Sequence, residues 1–136
     1  MNTAIRKATV DDARKLAVLL NEIGWFARFN TGQIDQLALQ VEERLRQCMA
    51  DGSHSVLVAE EPGGEITGYG SVHWLPYLFM SGPEGYVSEL FVSASARGQG
   101  IGRELLQVIE SEARVRGCQR LSLINLRNRE SYKRQF

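Results

Sequence analysis

The most informative stretch of the chain runs from Leu90 to Gly102 and reads LFVSASARGQGIG. A short apolar strand leads into a glycine-rich turn, and the turn opens a long amphipathic helix. Glycines let backbone N–H groups approach an anion without obstruction by a side chain. The N-terminus of a helix adds unpaired donors and about half a positive charge, and Arg97 adds a cation. The stretch therefore predicts a pyrophosphate-binding site where the helix begins.

The glycine pattern alone does not name the phosphate ligand. A nucleoside-triphosphate loop ends in Gly-Lys-Ser/Thr, which this stretch lacks. A dinucleotide site needs a third glycine where the chain has Arg103, and an acidic residue about 20 residues further on, at the end of the next strand. The predicted strand Leu121–Leu126 contains no acid. A bare glycine pattern also has a second interpretation, tight packing of a helix on a strand.

A wider pattern, Val92-x4-Arg97-Gly98-x-Gly100-Ile101-Gly102, resembles the acetyl-CoA motif of the GNAT superfamily of N-acetyltransferases. Residues 128–136, NRESYKRQF, are similar to the segment that follows the family's fifth strand. The resemblance covers essentially the whole chain and implies acetyl-CoA as co-substrate. It implies that the pantetheine arm pairs with the backbone of Leu90, Phe91 and Val92, that the amides of Arg97, Gly98, Gln99, Gly100, Ile101 and Gly102 hold the pyrophosphate, and that Asn128 and Ser131 lie along the cofactor.

Acetyl transfer needs a neutral amine and a proton for the leaving thiolate. Glu89, one residue before the cofactor-pairing strand residues, is the candidate base. Strand side chains alternate between faces, and many relatives in the family carry a glutamate where this chain has Ser88. A Glu89 that points into the fold and makes a structural hydrogen bond therefore stays open. We interpret His73 as an ordinary surface or core histidine.

The family's usual general acid is a tyrosine just after a phenylalanine on its last helix. The sequence ends at Phe136, so Tyr132 is the one nearby substitute, and its helical phase differs from the family position. We expect the natural chain to continue with that tyrosine and with two further strands; a naturally short domain, or one completed by a partner, is the alternative. For Asn128, a helix N-cap is an alternative to cofactor contact.

Aromatic residues are expected to recognise the acceptor. A role in capping the core is an equal alternative for those in the loop after the first helix. The leading interpretation is an N-acetyltransferase that modifies a primary amine of a small molecule or of a peptide or protein. The alternative is a non-catalytic acyl-CoA-binding or regulatory module with the same fold, which Ser88 and the missing acid favour. The candidate acceptor-binding residues are Trp25, Phe29, Trp74 and Tyr77.

Hydrophobic periodicity predicts the order strand, two helices, three strands, helix, strand and partial helix. This is a mixed α/β (α+β) sheet with helices on its faces; the resemblance implies that the sheet is mostly antiparallel and lacks its C-terminal strands. Asp11 and Asp12 are expected to cap the first helix, and Gly24 to end it. The predicted strands are 4–9, 55–59, 66–75, 86–92 and 121–126, and the predicted helices are 13–23, 33–49 and 100–116.

The length and composition of the chain limit the functions that it can have. A chain of 136 residues fits one domain, and 16 basic residues balance 16 acidic ones, which leaves no field to hold nucleic acid or an anionic membrane. With no apolar stretch of membrane-spanning length and no apolar signal core, we expect a cytoplasmic protein; a homodimer stays open. Cys48 and Cys118 have no metal-site spacing to His54 or His73, so no metal is predicted.

Overall fold

The computed structural model describes residues 2–24 and 33–123, which form five strands and three α-helices. No helix in this part of the chain is both long and apolar enough to cross a bilayer. Single 3-10 turns, Val10–Asp12 and Ala94–Ala96, lie before the first and third helices. In chain order the elements are β1 Ala4–Lys7, α1 Ala13–Ile23, α2 Ile34–Met49, β2 His54–Glu60, β3 Ile66–Leu75, β4 Glu84–Val92, α3 Ile101–Val115 and β5 Arg120–Leu123.

The strands form one sheet in the order β1-β2-β3-β4-β5. Neighbours from β1 to β4 are antiparallel, and β5 runs parallel to β4. The predicted turn between β2 and β3 is present, with the Gly64 N–H donating to the Glu61 carbonyl at 2.8 Å. These observations confirm the predicted mixed, mostly antiparallel sheet flanked by helices.

Two apolar cores lie on the two faces of this sheet. α1 and α2 cover one face and α3 covers the other, because each helix has an apolar stripe that only the sheet can bury. The core under α1 and α2 includes Leu16, Leu20, Leu45, Val58, Tyr69 and Phe91. The core under α3 includes Leu57, Val72, Trp74, Val87, Leu90, Leu105 and Ile109.

A β-bulge interrupts β4 at Ser88. The register pairs Ser71 of β3 with Glu89, but the next residue, Val72, pairs with Val87. Ser88 is therefore an extra residue on β4, and such a residue shifts the alternation of side chains by one position. The bulge lies at the part of β4 that the sequence assigns to the chemistry.

The shifted alternation decides which way the candidate base points. Val87 and Leu90 are three residues apart, yet both belong to the core under α3. Phe91 belongs to the opposite core, and Glu89, two residues before it, shares that face. The Glu89 side chain is therefore on the side of the sheet that α1 and α2 cover.

Asp12 fixes the chain where β1 leads into α1. Its carboxylate accepts hydrogen bonds from both Nη atoms of Arg6 and from the Thr9 N–H, each at 2.8 Å. The Arg6 guanidinium holds the pKa of Asp12 below its usual value. Asp12 makes no side-chain hydrogen bond to the N–H groups of α1 itself; its carboxylate instead completes a capping box with Thr9 at the 3-10 turn that leads into the helix. Gly24 ends α1 as predicted, with φ of 75°.

Candidate active site

The predicted phosphate turn between β4 and α3 is open to solvent. Gly98 and Gly100 have φ of 82° and 85°, in the left-handed region that favours glycine. A Cβ atom added at either position would meet no atom within 4 Å. Neither glycine therefore serves the packing of helix on strand, which was the second interpretation of the pattern. Both leave free space beside an exposed backbone.

Glycines on β3 allow the close packing of α3 instead. A Cβ at Gly68 would lie 3.2 Å from Ile101 Cγ2, and one at Gly70 would lie 3.2 Å from Ile109 Cδ1. The Gly100 carbonyl accepts from the Glu104 N–H at 2.9 Å, so α3 begins directly at the turn. The first N–H groups of a helix have no partner within it, and here they adjoin the open space beside the two turn glycines.

The backbone of β4 alternates between pairing with β3 and facing away from it. The Ser93 N–H donates to the Thr67 carbonyl at 2.8 Å, so Ser93 is a hydrogen-bonded position. In an antiparallel ladder these positions recur every second residue. Phe91 therefore points its backbone groups at β3, and Leu90 and Val92 point theirs away.

This geometry corrects one expectation about the cofactor arm. The backbone groups of Phe91 serve the sheet, so only Leu90 and Val92 can pair with a ligand at the far edge of β4. In the described part of the chain, β5 pairs with β4 only up to Val87, short of these two residues. The Val92 carbonyl accepts from Arg97 Nε at 3.1 Å, which holds the arginine beside the turn.

Glu89 is half-buried and hydrogen-bonded. Tyr69 Oη donates to Glu89 Oε1 at 2.6 Å, and the carboxylate lies near enough to the Cys48 thiol to contribute to raising its pKa, after burial. The side chain is thus held by the fold and also keeps some exposure to solvent. The two readings of Glu89 drawn from the sequence do not exclude each other.

Polar side chains continue from Glu89 across the same face of the sheet. His54 and His73 are cross-strand neighbours with ring centroids 3.9 Å apart. His73 Nε2 is 2.8 Å from Ser88 Oγ, and His54 Nε2 contacts Ser71 Oγ and, at 3.9 Å, Cys48 Sγ. Burial, and then the neighbouring His73, lower the pKa of His54 to about 4.

A second feature that sequence reasoning missed joins α1 to the phosphate turn. Glu22 Oε2 accepts from Ser93 Oγ at 2.7 Å and from the Ala94 N–H at 3.3 Å. The carboxylate therefore holds the start of the 3-10 turn that leads to Arg97. Glu22 lies two residues before Gly24, the end of α1, so one side chain links the end of the first helix to the candidate cofactor site.

The sequence model of the acetyltransferase (GNAT) family matches residues 20–136. This chain belongs to the GNAT family of N-acetyltransferases. Among curated relatives, thialysine N-epsilon-acetyltransferase of Bos taurus is 30% identical over 131 residues, covering 88% of this chain and 72% of its own length. L-methionine sulfoximine/L-methionine sulfone acetyltransferase of Pseudomonas paraeruginosa is 31% identical over 122 residues, covering 86% of this chain and 67% of its own length.

Solved structures agree on the GNAT fold. The ribosomal-protein-alanine N-acetyltransferase of Brucella melitensis biovar Abortus 2308 superposes with a TM-score of 0.82, covering 99% of this chain and 89% of its own, at 22% identity. At that identity the likeness concerns the fold alone. The order of strands and helices reported above is thus that of GNAT proteins.

Trp74 does not lie where the sequence analysis predicts an acceptor pocket. Trp74 is 4% exposed in the core under α3, and its Nε1 donates to Ser55 Oγ at 3.0 Å. Glu89 is on the opposite face, so Trp74 is a core residue and not a neighbour of the candidate base. Trp74 and Tyr77 border an open cavity of about 490 Å³ at the β3–β4 loop, together with Asp51 and Arg116.

Several predicted GNAT site residues lie outside the residues that the structure describes. In residues 2–24 and 33–123, no group of three or more His, Cys, Asp or Glu side chains is arranged to hold a metal ion. The predicted residues outside these ranges are Trp25, Phe29, Asn128, Ser131 and Tyr132.

Proposed function

We propose that this chain is an acetyl-CoA-dependent N-acetyltransferase whose acceptor is a primary amine of a small molecule. The observation that carries the proposal is the open turn at Gly98 and Gly100, which lies between the outward backbone of β4 and the first turn of α3. Membership of the GNAT family supports the reaction type. The geometry of the turn supports a phosphate-bearing co-substrate.

The residues at the turn fit the pyrophosphate of coenzyme A. Two left-handed glycines leave open space against exposed amides, the start of α3 favours an anion, and Arg97 supplies a cation. Leu90 and Val92 offer outward backbone groups that a pantetheine amide can pair with, as a neighbouring strand would. Pairing with the Val92 carbonyl requires the Arg97 Nε hydrogen bond to open, which frees the guanidinium for the phosphates.

The acceptor class follows from the relatives and not from a motif. The two curated relatives described above are named for thialysine and for methionine sulfoximine or sulfone, which are small molecules. The protein-modifying neighbour from Brucella is similar in fold at 22% identity. We therefore place a small amine ahead of a peptide or protein N-terminus.

Glu89 supplies negative charge at the bulge of β4, next to the outward edge of that strand. An acceptor amine is an ammonium ion near neutral pH, so the carboxylate attracts it and takes up its proton directly or through a water molecule. Tyr69 holds one carboxylate oxygen and leaves the other for the acceptor. Bound acetyl-CoA supplies the acetyl group as a thioester.

Acetyl transfer to a panel of amines tests the proposal. The protein is incubated with acetyl-CoA and, separately, with lysine analogues, methionine analogues, an aminoglycoside and a peptide with a free N-terminus. We expect release of free thiol, and a product heavier by one acetyl group, with at least one small amine. Binding of acetyl-CoA with no transfer to any amine would identify instead the non-catalytic acyl-CoA-binding module.

A further inference from the structure

The two histidines of this chain face each other on the sheet surface under α1 and α2. The chain has two histidines in 136 residues, yet His54 of β2 lies directly opposite His73 of β3. Their rings are 3.9 Å apart between centroids, with 31° between the planes. Side chains directly opposite each other on neighbouring strands interact closely, so each imidazole of this half-buried pair sets the chemical environment of the other.

Ser88 connects this pair to β4. Its Oγ is 2.8 Å from His73 Nε2, and it is the extra residue of the bulge, directly before Glu89. A strand advances about 3.3 Å per residue, so Ser88 lies roughly 13 Å along β4 from Val92. The phosphate turn follows Val92, so an arm that runs back along β4 from this turn extends towards Ser88.

We propose that His73, acting through Ser88, receives the proton that Glu89 takes from the acceptor amine, and that the stacked His54 holds His73 in place. The inference rests on the proposed function, because it needs an amine acceptor at the edge of β4. Glu89 is then the group that meets the acceptor. Ser88, His73 and His54 are positioning residues that act through it and return it to its anionic form after each turnover.

The reaction balances with the groups named. The acceptor ammonium gives one proton to Glu89, which passes it through a bridging water molecule and the Ser88 hydroxyl to His73. The neutral amine nitrogen forms a bond to the acetyl carbon as the carbon–sulfur bond breaks, and the second N–H proton neutralises the departing thiolate. His73 then releases its proton to water, so each turnover yields an acetamide, free CoA and one proton.

The electrostatics of the pair assign the acceptor role to one of the two rings. His54 stays neutral near pH 7, because burial and the neighbouring His73 lower its pKa to about 4. The pair therefore carries at most one charge, and the neutral ring stacks on the protonated one.

Other titratable groups face the pair from the elements around it. Cys48 of α2 contacts His54, and burial raises the pKa of its thiol, which keeps it uncharged near neutral pH. Tyr86 of β4 has its ring 6.0 Å from His73. Glu89 is the carboxylate of this face that the proposed route uses.

Steady-state kinetics of the whole chain tests the route, with the best small amine of the panel. His73→Gln keeps a polar atom for Ser88 but holds no proton, and Ser88→Ala removes the link. Both are expected to lower kcat about 10- to 100-fold, to change the pH dependence of kcat, and to leave the Kd for CoA unchanged. The control Ser111→Ala, which removes an exposed hydroxyl of α3 bonded to the Gln107 carbonyl, should match the wild type.

A double variant shows whether Glu89 and His73 belong to the same proton route or affect kcat independently. Glu89→Gln combined with His73→Gln should be no slower than Glu89→Gln alone, because both changes interrupt the same proton transfer. Rate losses that multiply would overturn the proposal, as would a His73→Gln protein with normal kcat and a normal pH profile. A wild-type protein that acetylates no amine would instead refute the proposed function, and the route with it.

A measurement on the wild-type protein covers the case in which a variant does not fold. With two histidines in the chain, NMR can follow each ring proton through a pH titration. The His54 signal should stay that of a neutral imidazole down to a midpoint near pH 4. A His54 midpoint at the ordinary value of about 6.5 would mean that the two rings do not share one charge, and would overturn the proposal.

Discussion

Tyr69 Oη donates a hydrogen bond of 2.6 Å to Glu89 Oε1, across β3 and β4 and under α1 and α2. Tyr69 is buried in the core and Glu89 is half-buried, so the contact joins the interior to the edge of the candidate site. Among the residues that the structure describes, Tyr69 binds one carboxylate oxygen and no hydrogen bond involves the other. The contact is therefore compatible with both a structural hydrogen bond and the chemical role that we propose for Glu89.

Glu89→Gln tests the chemical half of that role. Glutamine keeps an oxygen that can accept from Tyr69, but it neither attracts an ammonium ion nor takes its proton. We expect kcat to fall by about 10² or more, with little change in the Kd for CoA, because backbone atoms hold the co-substrate. Glu110→Gln, an exposed change on α3, is the matched control. A normal rate with a lowered melting temperature would leave Glu89 a structural role only.

The pH dependence of stability tests the environment of His54. Its folded-state pKa of about 4 is below the ordinary value of about 6.5, so burial disfavours the charged form. The contribution of a neutral His54 to stability is therefore complete above pH 6.5 and is lost progressively as the pH falls to about 4. Urea unfolding should show the difference in unfolding free energy between wild type and His54→Gln narrowing over that range, by at most about 3 kcal/mol, since solvent partly screens the half-buried ring. A difference that does not change with pH would contradict this environment.

Glu22 offers a test of the link between α1 and the phosphate turn. Glu22→Ala removes the acceptor of the Ser93 and Ala94 hydrogen bonds, which loosens the turn that leads to Arg97. Calorimetry should show CoA binding weakened about threefold to tenfold, as the loss of about one hydrogen bond implies. Glu43→Ala, an exposed change on α2, serves as control. Equal CoA affinity in both variants would show that the link has no part in cofactor binding.

The sequence was sufficient for the features that depend on local pattern. The β2–β3 hairpin, the start of α3 after Gly100 and the end of α1 at Gly24 follow from turn residues and periodicity, and the structure has them where predicted. The special place of Gly98 and Gly100 also followed from sequence, because a left-handed conformation strongly favours glycine.

The features that depend on register between strands were out of reach. The residues around Ser88 carry no pattern that predicts a bulge. The face of the sheet on which the Glu89 side chain lies therefore stayed open until the pairing of β4 with β3 was known. β3 is buried on both faces over most of its length, so it lacks the alternation that would have assigned Trp74 to the α3 side. The pairing of His54 with His73 likewise follows from the hairpin register alone.

The direct test of the central claim is calorimetric titration of CoA into the wild type and two aspartate variants. Gly100→Asp adds bulk and negative charge at the proposed pyrophosphate site. Gly117→Asp is its control, because Gly117 also has a left-handed φ, of 74°, and no atom within 4 Å of an added Cβ, but it lies beyond the opposite end of α3. Both variants carry the same backbone strain, so the comparison isolates the site.

The account predicts that CoA binds the wild type, with ATP and NAD binding more weakly, and that Gly100→Asp weakens CoA binding more than tenfold, or about 1.4 kcal/mol. Gly117→Asp should bind as the wild type does. Gly100→Asn, which adds bulk without charge, should fall between the two. An unchanged Kd in Gly100→Asp, or ATP binding tighter than CoA, would contradict the claim that this turn holds the pyrophosphate of coenzyme A.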